Sequence, residues 1–165
     1  MDTRITGRVW KYGDDVNTDV IFPGKYTYSI SDPAEMAKHA LEDLDPTFSE
    51  HVQPGDIIVA GKNWGCGSSR EQAVTCLKQA GVAAIVARSF ARIYFRNCIN
   101  QALPIITCDA VEGVETGDEI TIDFASGTVT TPCAEYSFPP LSPEVMEILE
   151  AGGLIAHVRK QLGIG

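Results

Sequence analysis

Between Ile57 and Thr107 the chain alternates short apolar runs with stretches of helical spacing, and this alternation restricts the fold more than any other feature. Ile57-Ile58-Val59-Ala60 leads into a glycine turn, Gly65-Cys66-Gly67-Ser68-Ser69-Arg70-Glu71, and then into a helical stretch from Glu71 to Gln79 that ends at Gly81. Val82 to Ala87 is continuously apolar. Phe90 to Gln101 has helical spacing, with Phe90, Ile93, Tyr94 and Ile99 on or near one face, and Pro104 to Thr107 is apolar again. Short apolar runs without polar alternation fit strands covered on both faces. Strand–helix–strand–helix–strand predicts a partly parallel sheet with right-handed crossovers and flanking helices, an α/β fold.

The flanks add to this frame. Thr3 to Lys11 reads as a first strand, Tyr12 to Thr18 as a polar turn, and Val20-Ile21-Phe22 as a short strand stopped by Pro23-Gly24. Lys25 to Ser31 has no periodicity and reads as a loop. Asp32 is placed to cap a helix with Pro33 in its first position, running to about Leu44. Pro54-Gly55-Asp56 turns the chain into the Ile57 strand. Later, Glu119–Phe124 and Thr128–Thr131 alternate around Ala125-Ser126-Gly127, which is a hairpin signature. Ser142 is placed to cap a helix to about Ala151. Gly152-Gly153 breaks that helix, and Leu154 to Leu162 forms a last one. At 165 residues with no linker or repeat, residues 1–165 are expected to form one domain.

The formal net charge of −9 argues against a nucleic-acid face, which needs clustered Lys and Arg. It does not exclude an anionic ligand, because local cations and helix starts bind anions against an acidic background. No apolar run reaches the roughly 20 residues of a membrane span, and the N-terminus carries no secretory pattern, so a cytoplasmic location is expected. Five cysteines, Cys66, Cys76, Cys98, Cys108 and Cys133, are widely spaced, with no Cys-x-x-Cys pair, so no metal or cluster site is assigned to this chain. Cys76, Cys98 and Cys108 lie in apolar surroundings and are expected to be buried thiols. Cys66, in the glycine turn, is either reactive or inert. His39, His51 and His157 have no spaced partner and receive no role.

The glycine turn carries the chemistry. Glycines permit a sharp turn and close approach of a ligand. A following helix start offers free N–H groups, and Ser68, Ser69 and Arg70 supply two hydroxyls and a bidentate cation suited to a small carboxylate. A second reading stands beside this one. Ser68 and Glu71 have the spacing of a capping box, which only starts a helix.

Gly67-Ser68-Ser69-Arg70-Glu71 followed by Arg88-Ser89-Phe90-Ala91-Arg92-Ile93 resembles the swivel domain of the aconitase superfamily. The segment Gly7 to Ile21, with Asn17-Thr18-Asp19, is similar to the start of the free-standing small subunits of the 3-isopropylmalate dehydratase family. The resemblance runs from about Gly7 to the C-terminal helix. It implies a compact swivelling β/β/α domain with a mixed sheet and flanking helices. It also implies half of a hydro-lyase active site, completed by a large subunit that carries a [4Fe–4S] cluster, in a heterodimer or heterotetramer. The isolated chain would be inactive and could self-associate. Ser68 corresponds to the catalytic base of the family, and Gly67, Ser69 and Arg70 to substrate-binding positions. Asp19 either positions a catalytic group or caps a turn. Arg88 and Arg92 are either ion-paired helix-start residues or functional ones that line the cleft or meet the partner subunit.

In relatives the loop after the N-terminal signature reads the substrate's variable group. Here Lys25, Tyr28 and Ile30 are the candidates. The loop has an apolar contact to offer and no arginine, which favours an alkyl-substituted malate over citrate or homocitrate. Lys25 is either a carboxylate contact or a solvated surface cation. The leading expectation is interconversion of 2- and 3-isopropylmalate, a small dicarboxylic acid pair, through the dehydrated alkene in leucine biosynthesis. A sister substrate, such as dimethylmalate, citraconate or homoaconitate, is the alternative, and a stand-alone anion-binding module is the non-enzymatic one.

Overall fold

The computed structural model describes residues 3–68 and 70–164. In chain order the elements are β1 (Arg4–Lys11), α1 (Thr18–Ile21), α2 (Pro33–Ala37), α3 (Pro46–His51), β2 (Ile57–Ala60), α4 (Gln72–Gln79) and β3 (Ala84–Ala87). They continue with α5 (Arg92–Asn100), β4 (Ile105–Thr107), β5 (Glu119–Asp123), β6 (Thr128–Thr130), β7 (Glu135–Ser137), α6 (Pro143–Ala151) and α7 (Leu154–Leu162). The strands form one mixed sheet in the order β4-β3-β2-β1-β5-β6-β7. Strands β1 to β4 are mutually parallel, and β5, β6 and β7 add antiparallel beyond β1.

Side-chain alternation divides each parallel strand between two cores. Trp10, Ile58, Ala60, Ile85, Ala87 and Ile105 join a core shared with α2, α4, α5 and α6. Their neighbours Val9, Ile57, Val59, Ala84, Val86 and Ile106 face the other side, where Ile120, Ile122, Phe124 and Val129 of the hairpin region cover them. Strands β2 and β3 are therefore buried along their whole length, and this is why their sequences show no polar alternation. Among the described residues no helix is long and apolar enough to cross a membrane.

The expected strand over Val20-Ile21-Phe22 is instead a helix. Asn17 Oδ1 accepts from Val20 N at 2.9 Å, and this cap starts α1 at Thr18, with only Phe22 extended. Asp19 thus stands in the first turn of a helix and not at a strand start. The helix expected to reach Leu44 stops at Ala37. The chain then turns repeatedly, and Leu41, fully buried at φ 57°, donates its N–H to the Ile21 carbonyl at 2.8 Å. Asp32 and Ser142 cap their helices as expected, accepting from Ala34 N and Val145 N. The loop Lys25–Ser31 opens on a 3-10 turn, Gly24–Tyr26. On α5, Tyr94, Cys98 and Ile99 are buried, while Ile93 is half exposed and does not share the core face with them.

Candidate active site

Beyond the carboxyl end of β2 the chain runs through Gly61–Trp64 into the glycine turn and lies against two other segments. Gly65 N donates to the Val16 carbonyl at 2.8 Å and Thr18 N to the Cys66 carbonyl at 2.8 Å, which joins the turn to the start of α1. Trp64 N donates to the Ser89 carbonyl at 3.1 Å and Ala91 N to the Trp64 carbonyl at 3.0 Å, which joins it to the start of α5. Asn63 N donates to Ser89 Oγ at 2.8 Å. Ligands of open α/β sheets bind outside the carboxyl ends of the strands, and these three segments meet there.

Gly65 and Gly67 have φ of +85° and +99°, a region that side chains resist. A Cβ on Gly65 would run into the Tyr94 ring, and one on Gly67 would stand 3.2 Å from Thr18 Oγ1. Both glycines are needed for the turn to close on α1 and α5.

A cavity of about 260 Å³ opens at this junction. The glycine turn contributes Gly65, Gly67, Ser68 and Arg70 to its wall, and α1 contributes Thr18. Helix α5 contributes Arg92, Ile93, Tyr94 and Asn97, with Ala91 preceding them. Two guanidinium groups therefore line the cavity, and no Asp, Glu, His or Cys does so among the described residues. Arg70 is paired with Asp19, so the cation that an entering anion meets without an ion-pair partner among the described residues is Arg92, within a chain of net charge −9.

Ser68 is held by its backbone. Its carbonyl accepts from Thr18 Oγ1 at 2.8 Å and from Arg70 N at 3.0 Å, while Thr18 Oγ1 lies 3.5 Å from Ser68 Oγ. The capping-box reading fails. Helix α4 starts at Gln72 with Glu71 as a helical N-cap residue and no side-chain cap, so the Ser68 hydroxyl is not used to start it. Ser68 and Arg70 accordingly precede the helix and do not sit on its first turn. Ser69 lies outside the described residues.

Arg70 is heavily engaged. Its Nη1 donates to Thr27 Oγ1 at 2.7 Å, and its Nη2 donates to Asp19 Oδ1 at 2.6 Å and to the Phe22 carbonyl at 3.1 Å. Its Nε is buried without a partner among the described residues. Of the two readings for Asp19, the structure places it on Arg70. Of those for the later arginines, it separates the pair. Arg88 turns to Asp109 and Glu112 away from the cavity, whereas Arg92 lines the cavity and forms no ion pair among the described residues. Arg92 is thus a guanidinium open to a ligand.

The three loop candidates do not line the Ser68 cavity. Lys25 pairs with Glu42 at 3.9 Å and stands over the Tyr26 ring at 5.1 Å, while Ile30 packs on the helical core. Tyr28 is fully exposed. It borders a neighbouring groove of about 530 Å³ with Thr27, Pro33 and Met36, and Arg70 lies on the wall of that groove too.

Thr18, Thr27, Tyr94 and Asn97 had no assigned role from sequence. Thr18 was within reach, as the middle of Asn17-Thr18-Asp19. Asn97 follows Ile93 by one helical turn, so helical spacing alone puts the two on one face. Tyr94 donates its hydroxyl to the Ala73 carbonyl at 2.9 Å, and burial pushes its pKa far up, so it serves as a neutral wall.

The cysteines do not suit a cluster. No group of three or more His, Cys, Asp or Glu that could hold a metal occurs among the described residues. Cys76, Cys98 and Cys108 are buried, and burial raises all three thiol pKa values, which disfavours the thiolate that ligation requires.

The aconitase C-terminal domain family matches residues 17–110, which span α1 through the cavity to the residues after β4. The chain belongs to that family. Full-length relatives place it more closely among its free-standing small subunits. The 3-isopropylmalate dehydratase small subunit of Caldicellulosiruptor bescii is 49% identical over 159 residues, covering 94% of this chain and 95% of the relative. That of Wolinella succinogenes is 45% identical over 161 residues, covering 96% of each. The methanogen homoaconitase small subunit of Methanothermobacter thermautotrophicus is 48% identical and covers all of this chain and 96% of its own. The crystal structure of 3-isopropylmalate dehydratase from Methanocaldococcus jannaschii superposes with a TM-score of 0.92 at 41% identity, over 98% of this chain and 96% of that one. The mixed α/β swivel fold expected from sequence is therefore the observed one.

Proposed function

We propose that the chain is the small subunit of a two-subunit hydro-lyase that interconverts 2- and 3-isopropylmalate, with Ser68 as the base. One observation carries this reading. Ser68 is the proton acceptor left in a cavity lined by two arginines and by no carboxylate, imidazole or thiol among the described residues. Thr18 commits its proton to the Ser68 carbonyl and Tyr94 commits its own to Ala73.

A serine hydroxyl removes a proton only as its alkoxide, which a positive, partly enclosed site favours. Arg92 provides that charge, and Arg70 adds to it only when its contact with Asp19 is released. The alkoxide takes the proton from the carbon beside a carboxylate. The electron pair becomes the C=C bond as hydroxide leaves the adjacent carbon, and the reverse addition at the other carbon gives the isomer. Arg92 is suited to hold a substrate carboxylate in a bidentate pair. Arg70, with the Gly67 and Ser69 positions of the family motif, holds the second carboxylate once that group competes with Asp19. An iron–sulfur cluster on the large subunit would supply the Lewis acid for hydroxide departure; in this chain Cys76, Cys98 and Cys108 are buried thiols and the five cysteines are widely spaced, which fits a cluster held by that partner. The cytoplasm is the expected location.

Tyr28, on the groove that Arg70 also lines, is the loop residue turned to the substrate's variable group in this reading, while Ile30 stays packed on the helical core and Lys25 remains paired with Glu42. The homoaconitase relative is as similar to this chain as the dehydratase relatives, which favours a longer carboxylated substrate as the second reading. The absence of arginine in Lys25–Ile30 favours the alkyl substrate.

The test is anaerobic reconstitution with the large subunit and its cluster, following alkene absorbance with 3-isopropylmalate, homocitrate, citrate and dimethylmalate. Activity only in the mixture and highest on isopropylmalate is expected. Activity highest on another acid moves the substrate. A formed complex with an intact cluster and no turnover of any of them favours an anion-binding module.

A further inference from the structure

Among the described residues, Arg70 is the one that lines both the Ser68 cavity and the groove beside Tyr28. Its guanidinium is held by three acceptors from α1 and the segment after it: Asp19 Oδ1, the Phe22 carbonyl and Thr27 Oγ1. These lie 43 to 51 residues away from Arg70 in sequence. Gly24 sits close against the arrangement, since a Cβ there would stand 3.1 Å from Asp19 Oδ1 and 3.7 Å from Arg70 Nη1.

Among the described residues, the hydrogen bond that holds the loop to the glycine turn is the one from Arg70 to Thr27. The backbone hydrogen bonds of Tyr26, Thr27, Ser29 and Ile30 are local, made to Pro23, Gly24 and Tyr26. Thr27 thus makes the side-chain bond that joins this loop to Arg70. Its hydroxyl is neutral, so it fixes one nitrogen of the fork without cancelling charge. Asp19 on the other nitrogen is a carboxylate that an incoming substrate carboxylate can replace.

We infer that Thr27 is a positioning residue, which orients Arg70 for the substrate carboxylate and ties the substrate-reading loop to the Ser68 turn. The kinetic half of this inference rests on the hydro-lyase reading above; the structural half does not. The fork keeps its plane while Nη2 exchanges Asp19 for substrate, because Nη1 stays on Thr27. Loop placement and carboxylate binding then become one event.

Two variants and two readouts test this. Thr27→Val removes the acceptor at nearly constant shape, and Thr27→Ser keeps it. Lys25 is exposed, so trypsin cleavage of the Lys25–Tyr26 bond in the intact free chain, followed by mass spectrometry, reports on the loop. Cleavage is expected to accelerate roughly tenfold in Thr27→Val, the scale of one lost hydrogen bond to a charged group, and to stay near wild type in Thr27→Ser. In the reconstituted complex Thr27→Val is expected to raise KM for 3-isopropylmalate by roughly tenfold with kcat nearly unchanged, and Thr27→Ser to restore it. Equal cleavage in wild type and Thr27→Val, or equal damage from Val and Ser, overturns the inference. If the wild-type complex turns over none of the acids, the hydro-lyase reading fails, and the cleavage comparison still decides the tie between Thr27 and Arg70.

Discussion

Thr18 and Ser68 are joined twice: Thr18 Oγ1 donates to the Ser68 carbonyl at 2.8 Å and lies 3.5 Å from Ser68 Oγ. The residue that starts α1 thereby holds the glycine turn in place. Removing that donor leaves a carbonyl unpaired on one side and frees the turn. Thr18→Val is expected to lower kcat about tenfold, the scale of one net hydrogen bond in the reacting geometry, and Thr18→Ser to retain most activity. Steady-state kinetics of the reconstituted complex, with unfolding midpoints as a control, check this.

Gly65 lies where α5 presses on the turn. Gly65→Ala imposes a side chain at φ +85° and drives it into the Tyr94 ring. A loss of roughly 3 kcal/mol or more is expected, from backbone strain plus overpacking. Gly117→Ala provides the comparison. Gly117 has φ +99° but open space around the added Cβ, so only the strain of roughly 1–2 kcal/mol applies. Urea unfolding of both variants measures the difference.

How much of this was legible beforehand depends on distance along the chain. Asp32-Pro33 and Ser142-Pro143 announce their helices locally, and both caps form. Asp45-Pro46 carries the same local signal, and it starts the short helix α3. Val20-Ile21-Phe22 reads as a strand on apolarity alone, yet the Asn17 cap decides for a helix. Strand β7 is three residues on a sheet edge, too short for any period to show. In the site, the identities of Ser68, Arg70 and Arg92 stood out from their motifs. The partners of Arg70 did not, because Asp19 and Thr27 are 51 and 43 residues away and only the fold brings them together. The same holds for Arg88 and Arg92, four positions apart on paper and turned to different surroundings in space.

The loop that carries Lys25 and Tyr26 is anchored on Glu42. His39 first, and then Tyr26 and Lys25, hold the Glu42 carboxyl below its usual range. A depressed folded pKa means the anion contributes stability above the unfolded pKa of roughly 4.3. That contribution is lost as pH falls through the folded value. Glu42→Gln is therefore expected to be less stable than wild type at neutral pH, with the gap closing in the acid range below the unfolded pKa. Denaturant unfolding at a series of pH values tests this; a gap that persists or widens in acid contradicts it.

Thiol reactivity should follow burial. Burial holds Cys76 and Cys98 as neutral thiols, and Cys133 is exposed. Iodoacetamide on the native chain is expected to label Cys133 first and to leave Cys76 and Cys98 unlabelled until unfolding, as read by peptide mass spectrometry.

The most direct test of the account is Ser68→Ala in the reconstituted complex, assayed with 3-isopropylmalate beside wild type with cluster content and complex formation verified. If Ser68 is the base, kcat falls by about 10²–10⁴, the range for a positioned proton acceptor, while KM changes little. Near-normal turnover by Ser68→Ala would contradict the assignment.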